Sequence, residues 1–306
     1  MILAIAAVAL PTLFWDQPPS TADALHKAGI ERLCVPAAGE AAWQKLGFTA
    51  VAFDPARAAE AVAPDVEYHM DVASATRVPW VDANGWRFER SPHSSYLYKT
   101  PPGRASLAAA EAFAYGVQAA VRAAPQDLEP FARMLHFLSE ISQPPLPVMA
   151  NIGILDDGSD TMAEVLNLMA RHNLLFHIVP APDPKYDLNI RLGPAGYPAG
   201  DAADPYAFAM KIRHTLTDEK RLLRIYGSNV VLVHLTGDRS RARVHLLNYG
   251  QPPVEALHVR VLGSYRQGKL SAFEHPQSAL QDYTVQDGAT EFTIPTLGPY
   301  AVVDLE

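Results

Sequence analysis

The segment Val148–Pro180, VMANIGILDDGSDTMAEVLNLMARHNLLFHIVP, predicts the fold class most directly. A short apolar run at Ile152–Leu155 leads into a turn rich in Asp and Gly, after which apolar residues recur at helical spacing. A second apolar run, Leu174–Val179, follows this helix. Two strands joined by a helix predict a parallel pair with a right-handed crossover. Because ligands of such sheets lie beyond the carboxyl ends of the strands, we expect Asp156 and Asp157 to bind substrate.

The N-terminal part of the chain repeats the same alternation in shorter units. Strand-like runs at Thr12–Asp16, Glu31–Val35, Phe48–Phe53 and Val66–Val72 are separated by short helical segments, the last of them a helical turn at Ala56–Val62. This alternation predicts a parallel sheet or a βα barrel. Only about four such units precede residue 100, so we expect an α/β fold that is an incomplete or degenerate parallel βα barrel or sheet.

The alternation breaks at Ser74–Thr100, which is rich in aromatic residues and has no helical period. Within it, Trp86-Arg-Phe88 and Tyr96-Leu-Tyr98 predict the two arms of a β-hairpin or an ordered loop. Insertions of this length are usually functional, so we expect this aromatic loop to form one wall of a ligand cleft. The alanine-rich segment Arg104–Ser142 is predicted to be helical, with a break near Pro125.

From about Arg224 the pattern changes to short runs of β character separated by turn residues. Several short strands at this spacing predict an antiparallel β-sandwich. We therefore expect an α/β domain at 1–222, with the aromatic loop at 74–100 and the βαβ unit at 148–180, and a C-terminal β-sandwich at 223–306.

Composition narrows the classes of function. The 306 residues carry a net charge of -8, and the basic residues are scattered, which argues against nucleic acid as a partner. The single cysteine, Cys34, excludes an internal disulfide and offers no ligand spacing for zinc, and no cofactor motif is present, so we expect no cofactor. Nothing in the sequence specifies an oligomeric state, so a homo-oligomer stays open.

The first ten residues, MILAIAAVAL, are continuously apolar but too short to span a bilayer. They are either the remnant of a signal peptide, which would indicate export, or a buried first strand, which would fit a cytoplasmic protein. The sequence does not distinguish these two alternatives.

The heptapeptide Trp80-Val-Asp-Ala-Asn-Gly-Trp86 combines two indoles, a carboxylate and an amide. Indole faces stack on the apolar faces of sugar rings, while Asp82 and Asn84 can bond to hydroxyls, so we expect Trp80, Asn84 and Trp86 to bind a saccharide. The alternative is structural: the Asp and Asn shape a turn, and both tryptophans belong to the core.

Two further acids lie at predicted strand ends, where parallel α/β folds present functional groups. Asp16 follows Trp15, and Asp71 lies two residues after His69. We expect Asp16, Asp71 and Asp82 to act as acid, base or nucleophile, and Trp15 to contact sugar. Helix capping is the alternative for such loop acids. The turn at Asp156–Asp160 is too short and irregular for a calcium loop, so we expect helix capping or ligand contact there and no metal.

The C-terminal sequence carries a family resemblance in three places: RARVHLLNYG at 241–250, LHVRV at 257–261, and DG at 287–288 followed by FTIP at 292–295 and YAVV at 300–303. Together they resemble the terminal β domain of many barrel glycoside hydrolases. The βαβ unit at 148–180 loosely resembles the amidotransferase-like domain of some β-galactosidases. No Asn-Glu pair marks a strand end as in many of these enzymes, so the resemblance assigns no catalytic residue.

Two hypotheses about function follow. In the first, the chain is a carbohydrate-active protein similar to glycoside hydrolases, which acts on or binds a saccharide through carboxylates and tryptophans at strand ends. In the second, it is a non-catalytic carbohydrate-binding or assembly protein on a degenerate glycosidase scaffold. Two carboxyl groups facing one cleft at about 5–9.5 Å would favour the enzyme.

Overall fold

The computed structural model describes residues 10–68, 79–141, 146–238, 240–275 and 279–306. The chain forms two compact units, one within Met1–Glu67 and Ser91–Pro145, the other within Tyr68–Arg90 and Leu146–Glu306. Among the helices in the described part of the chain, none has the length and hydropathy of a bilayer span.

The elements of the first half of the chain are β1 (Thr12–Phe14), α1 (Ala22–Ala28), β2 (Arg32–Val35), α2 (Glu40–Lys45), β3 (Thr49–Ala52), β4 (Ala59–Ala61), β5 (Asp65–Glu67), β6 (Trp80–Asp82), α3 (Gly85–Arg90), β7 (Ser95–Lys99), α4 (Ala105–Ala114), β8 (Gln118–Arg122) and α5 (Leu128–Glu140). Those of the second half are β9 (Ile152–Ile154), α6 (Asp160–Arg171), β10 (Phe176–Ile178), β11 (Leu188–Ile190), α7 (Pro205–Leu216), β12 (Leu223–Tyr226), β13 (Val231–Gly237), β14 (Ala242–Asn248), β15 (Val254–Leu262), β16 (Gly268–Ala272), β17 (Gln281–Gln286), β18 (Ala289–Leu297) and β19 (Tyr300–Leu305).

The first unit is built on a six-stranded parallel sheet with the order β3-β2-β1-β8-β7-β4. Its strands β1, β2 and β3 confirm the predicted strands at Thr12–Asp16, Glu31–Val35 and Phe48–Phe53. In the described residues the outermost strands, β3 and β4, each pair with one neighbour, so the sheet is open. The architecture is therefore α/β with a parallel sheet that does not close into a barrel.

The hairpin predicted within the aromatic loop is wrong. Trp86 and Phe88 lie in α3, which starts where the carbonyl of Asn84 accepts hydrogen bonds from the amides of Arg87 and Phe88, at 2.8 and 3.0 Å. Tyr96–Tyr98 lies instead in the parallel strand β7. All three of its residues are at most 3% exposed, as expected for a strand that is covered on both faces.

The helix predicted over Arg104–Ser142 is wrong in its middle, where Gln118–Arg122 forms β8 between β1 and β7. Gly116, at a φ of 65°, follows the end of α4 and turns the chain into this strand. Alanine has a high helix propensity, but pairing with two neighbouring strands overrides it here. The helical turn predicted at Ala56–Val62 is likewise only partly right, because its second half forms β4.

The βαβ unit predicted at 148–180 is confirmed in the second unit of the molecule. Strand β9 lies at the centre of a parallel sheet with the order β10-β9-β11, and Ile152 pairs with Phe176. Ser159 caps the connecting helix α6, because its hydroxyl accepts a hydrogen bond from the amide of Met162 at 3.1 Å. The apolar face of α6 and that of α7 then share one core with the strands.

Two four-stranded antiparallel sheets complete the second unit, with the orders β12-β15-β18-β17 and β13-β14-β19-β16. The predicted switch to antiparallel strands near Arg224 is confirmed, and no helix occurs in the described residues beyond 240. Alternate residues of both sheets, such as Val244 of β14 and Val259 of β15, belong to one hydrophobic core.

The predicted domain boundary at 222 coincides with the start of β12 at Leu223. The compact unit that contains these strands, however, also includes the parallel sheet at 146–222 and the segment 68–90. A separate domain at 223–306 therefore stays a prediction.

Candidate ligand-binding site

A cavity of about 720 Å³ lies in the second unit. Its walls come from the start of β6, from α6 and the two residues after it, from α7 and its N-cap Asp204, and from residues within 221–231. A volume in this range is typical of sites for small organic ligands. The charged and aromatic side chains of its wall are Trp80, Glu164, Arg171, His172, Asp204, Tyr206, Arg213 and Arg221.

Trp80 is the half-buried aromatic residue that begins β6. Its indole Nε1 donates a hydrogen bond to Oδ1 of Asp82 at 3.0 Å. The guanidinium carbon of Arg171 lies 3.9 Å from the centre of the indole ring, and Nη2 of Arg171 donates to the carbonyl of Pro79 at 3.0 Å. The hydrogen bond and the cation–π contact together fix the orientation of the ring at the cavity wall.

His172 follows α6 directly and packs edge-on against Tyr206, with ring centres 5.3 Å apart. Its Nε2 is buried without a hydrogen-bond partner among the described residues. Burial, together with three neighbouring cations, lowers the pKa of His172 to about 4. These cations are Arg171, Arg213 and Arg221. His172 is therefore neutral at pH 7, and it sits in a locally positive part of the cavity wall.

The cations of this wall have few acidic partners. Arg171 forms no ion pair with a described carboxylate, and its Nε and Nη1 are buried without hydrogen bonds to described groups. Arg213 and Arg221 share the single carboxylate of Asp218, at 3.6 and 3.3 Å, with Arg224 at 3.5 Å. Although burial opposes it, this surplus of guanidinium groups lowers the pKa of Asp218.

Two carboxylates line the same cavity. Asp204 is the N-cap of α7, and its Oδ1 accepts a hydrogen bond from the amide of Ala207 at 2.9 Å. Pro205 is the first residue of this helix. Glu164 projects from α6 and is exposed. The cavity therefore offers stacking surface, hydrogen-bond donors and two acids to a ligand.

The other residues of the predicted saccharide motif are buried. Asn84 is fully buried and precedes α3, and Trp86 is 9% exposed within the core between α3 and α6. The guanidinium carbon of Arg87 lies 4.3 Å from the centre of the Trp86 ring. Of the two indoles in the heptapeptide, Trp80 lines the cavity and Trp86 does not. Asp82 accepts the hydrogen bond of the Trp80 indole.

The turn after β9 is held by local contacts. Both carboxylate oxygens of Asp156 accept hydrogen bonds from Arg90 at 2.7 Å, and this pairing is the main cause that lowers the pKa of Asp156. Asp157 accepts from the amide of Ser159 at 2.9 Å, and contacts with Ser159 lower the pKa of its carboxyl group. The structure thus places both predicted substrate-binding residues in the turn that precedes Ser159, the N-cap of α6.

Asp16 and Trp15 lie in the first unit, just beyond the carboxyl end of β1. Asp16 forms an ion pair with Arg122 at 2.9 Å. Asp16 lies just after β1, and Arg122 is the last residue of the adjacent strand β8. Chain order reverses between these strands, which is where open α/β sheets bind ligands. Trp15 is 3% exposed and its Nε1 donates to the hydroxyl of Thr21 at 2.9 Å, so the ring contributes to the core.

The predicted catalytic residues do not form one described site. Asp16 belongs to the first unit and Asp82 to the second, while Asp71, like His69, lies outside the described residues. The expected loop at 74–100 is likewise divided: residues 79–90 belong to the second unit, 91–100 to the first, and 74–78 lie outside the described residues.

Sequence reasoning missed most of the cavity wall. Arg171, His172, Tyr206 and Arg213 were not singled out, because they sit on two helices where charged residues are ordinarily exposed. One usable signal was the Arg-His-Asn sequence at 171–173, three polar residues where the helix turns into an apolar strand. The searched part of the chain holds no group of three or more metal-ligating side chains.

Comparisons with known proteins concern the fold. No family model and no curated protein matches the sequence. The structure is similar to α-L-fucosidase isoenzyme 2 from Paenibacillus thiaminolyticus, with a TM-score of 0.56 at 10% identity over 90% of this chain and 68% of that one. For a rhamnosidase from Novosphingobium sp. PP1Y the TM-score is 0.47 at 11% identity, over 94% of this chain and 38% of that one. For a catalytic mutant of Gan42B, a GH42 β-galactosidase from G. stearothermophilus, the TM-score is 0.36 at 10% identity, over 96% of this chain and 59% of that one.

The similarity to the fucosidase agrees with the resemblance of the C-terminal sequence to glycoside hydrolases. The chain spans between 38% and 68% of the length of these three neighbours. At such low identity the similarity to the fucosidase shows the fold, which is glycoside hydrolase-like.

Proposed function

We propose that this chain is a carbohydrate-active protein that binds a saccharide in the Trp80 cavity. The observation that carries the proposal is the orientation of Trp80, whose ring is held at the cavity wall by Asp82 and Arg171. A flat aromatic surface beside hydrogen-bonding groups suits a sugar ring, which has apolar C–H faces and a polar rim. A pre-oriented indole also loses little conformational entropy when the ligand binds.

The neighbouring wall fits the same ligand class. Tyr206, at the start of α7, is 37% exposed and adds a second aromatic surface with a hydroxyl group. Asn229 and the two acids of the wall add groups that can bond to sugar hydroxyls. The glycoside hydrolase-like fold makes a saccharide the first class of ligand to test.

The proposal is tested with an immobilised glycan array followed by calorimetry on the best ligand. We expect Trp80→Ala to weaken binding by about tenfold or more, since stacked aromatic anchors dominate such sites, while Trp80→Phe retains part of the affinity. Tyr226→Ala is the matched control, because this aromatic residue is in the same unit, is 38% exposed and does not line the cavity. Equal loss in the control variant, or no glycan bound by the wild type, would refute the proposal.

Glycoside hydrolysis is a second candidate, and one observation favours it: Glu164 and Asp204 line the same cavity. A pair of carboxylates on opposite sides of a sugar is the minimum for acid–base hydrolysis. The predicted acids Asp16, Asp71 and Asp82 are the alternative catalytic set. A screen with chromogenic glycosides decides between the two catalytic sets. If Glu164 and Asp204 are catalytic, Glu164→Gln abolishes turnover; if the three aspartates are catalytic, their substitution abolishes it.

We also infer that the two antiparallel sheets pack face to face as a β-sandwich, an arrangement supported by their common core. The strands within 223–306 would then resist proteolysis more than the turns that connect them. Limited proteolysis is expected to cut near 193–204 or 236–240 first, and early cleavage within β14 or β18 would contradict the inference.

A further inference from the structure

We propose that the ligand of the Trp80 cavity is anionic, a saccharide that carries a carboxylate or a sulfate group. This inference rests on the proposed function and names the class of saccharide. Its basis is a cluster of arginines at one wall of the cavity in which guanidinium groups outnumber the carboxylates that contact them.

Arg171 is the first part of the argument. The guanidinium has five N–H donors, but its one hydrogen bond to a described residue is the bond from Nη2 to the carbonyl of Pro79. Its Nε and Nη1 are shielded from solvent by the surrounding protein and have no hydrogen-bond partner among the described residues. A buried cation without a carboxylate in contact is costly, and the charge of an oxyanion at the cavity wall would offset part of that cost.

The second part is the deficit of acidic partners around the neighbouring arginines. Asp218 pairs with Arg213, Arg221 and Arg224, so one carboxylate serves three guanidinium groups. Arg221 is 6% exposed, and its Nε also lacks a partner in the described chain. Arg213, by contrast, is partly exposed at the wall and can reach a ligand without repacking of the core.

The acids of the cavity do not cancel this charge through contact. Asp204 is bonded to the backbone at the start of α7, Glu164 is exposed and forms no ion pair with a described cation, and Asp82 accepts the hydrogen bond of Trp80. Asp82 and Glu164 are the acids whose charges act on Arg171 over a longer distance. Neutral His172, surrounded by cations, occupies the wall between Arg171 and the α7 side of the cavity.

A planar guanidinium matches the two oxygens of a carboxylate or two oxygens of a sulfate ester, and this match favours Arg-rich sites for such groups. The aromatic surface of Trp80 would hold the sugar ring while the arginines bind its charged substituent. A neutral sugar would bring no counter-charge to these arginines, and would gain only stacking and uncharged hydrogen bonds.

The test compares ligands with the same sugar backbone whose carboxyl groups are either charged or methyl-esterified. Binding of trigalacturonate to the full chain is measured by calorimetry beside its methyl-esterified form, with a sulfated trisaccharide and inorganic sulfate as further probes. We expect the ester to bind about tenfold more weakly, the loss typical of a charge-assisted hydrogen bond. The affinity for the charged ligand is expected to fall as salt is raised, because the partly exposed charges are screened.

The variants localise the effect. Arg213→Gln is expected to remove most of the preference for the charged ligand, and Arg171→Lys, which retains the charge but loses the planar fork, is expected to reduce it. Arg241→Gln is the matched control, because it removes an exposed charge in the same unit, away from the cavity. It is expected to leave the preference unchanged.

Each result has a distinct meaning. Tighter binding of trigalacturonate or of the sulfated sugar, lost in Arg213→Gln, supports the proposal and identifies the charged group. Equal binding of the acid and its ester overturns this inference but leaves the proposed saccharide function intact. Binding of inorganic sulfate with no saccharide bound refutes the proposed function, and the acidic-sugar assignment with it.

Discussion

Protonation of His172 should destabilise the fold. The folded-state pKa is about 4, whereas the ordinary value is 6.5, so the unfolded chain binds this proton more readily than the folded chain does. At pH 7.5 the group is neutral in both states and has no effect. As the pH falls below 6.5 the unfolded state gains protons first, and the free energy of unfolding decreases until the folded state is also protonated near pH 4.

The size of the effect follows from the difference between the two pKa values. About 2.5 pKa units correspond to about 3 kcal/mol for complete protonation. At pH 4.5 the folded state is already partly protonated, and His172 keeps some access to solvent, so we expect a loss of about 2 kcal/mol. The buried His234 also has its pKa lowered to about 4, so the wild type alone cannot isolate the contribution of His172.

The assay therefore measures urea unfolding of the wild type and His172→Gln at pH 7.5 and pH 4.5. The variant retains the backbone carbonyl that accepts the hydrogen bond from Arg221 at 3.1 Å. The stability of the wild type relative to the variant is expected to fall by about 2 kcal/mol between the two pH values. The exposed His136 is the control, and His136→Gln should show no such change. A constant difference between wild type and His172→Gln would refute the reasoning.

Three further substitutions test the α/β part of the second unit by urea unfolding. Ser159→Ala removes the N-cap of α6 and should cost about 1 kcal/mol, while Ser159→Asp restores most of it, and equal stability of all three proteins would contradict the cap. Gly153→Ala should cost about 1–3 kcal/mol, since the added Cβ would lie 2.8 Å from atoms of Tyr186 and Asn189; a neutral result would mean that β9 has room there. Asp156→Asn breaks the two-pronged pairing with Arg90 and should cost about 2 kcal/mol at pH 7, with a smaller difference at pH 3; a difference that does not depend on pH would argue against an ionised Asp156.

Periodicity and turn chemistry predicted much of the fold. The βαβ unit at 148–180 could be predicted because its helix is amphipathic and its capping residue is adjacent in sequence. The C-terminal strands could be predicted because turn residues separate them. The errors fall where pairing between distant segments decides the structure. Strand β8 has the composition of a helix, and the two parallel neighbours that make it a strand lie far away in the sequence. Local propensity carries no information about such neighbours.

The site was harder to predict than the fold for a related reason. Trp80 was identified because an indole beside Asp and Asn is unusual within seven residues. The arginines that complete its surroundings come from α6, α7 and the approach to β12, and each has an ordinary local sequence. What makes them notable is the shortage of acidic partners, a property of the folded arrangement alone. The same holds for Asp16, whose partner Arg122 lies on a strand that the sequence predicted to be a helix.

Several carboxylates of the described chain are engaged in contacts that maintain the fold. A general acid for glycoside cleavage needs a raised pKa, so that it holds its proton near neutral pH. The shifts at Asp156, Asp157 and Asp218 are all downward, because arginines or N–H and O–H donors stabilise the charged form. Asp82 orients an indole and Asp204 caps a helix. These acids serve the architecture, whereas the arginines beside Trp80 have capacity left for a ligand.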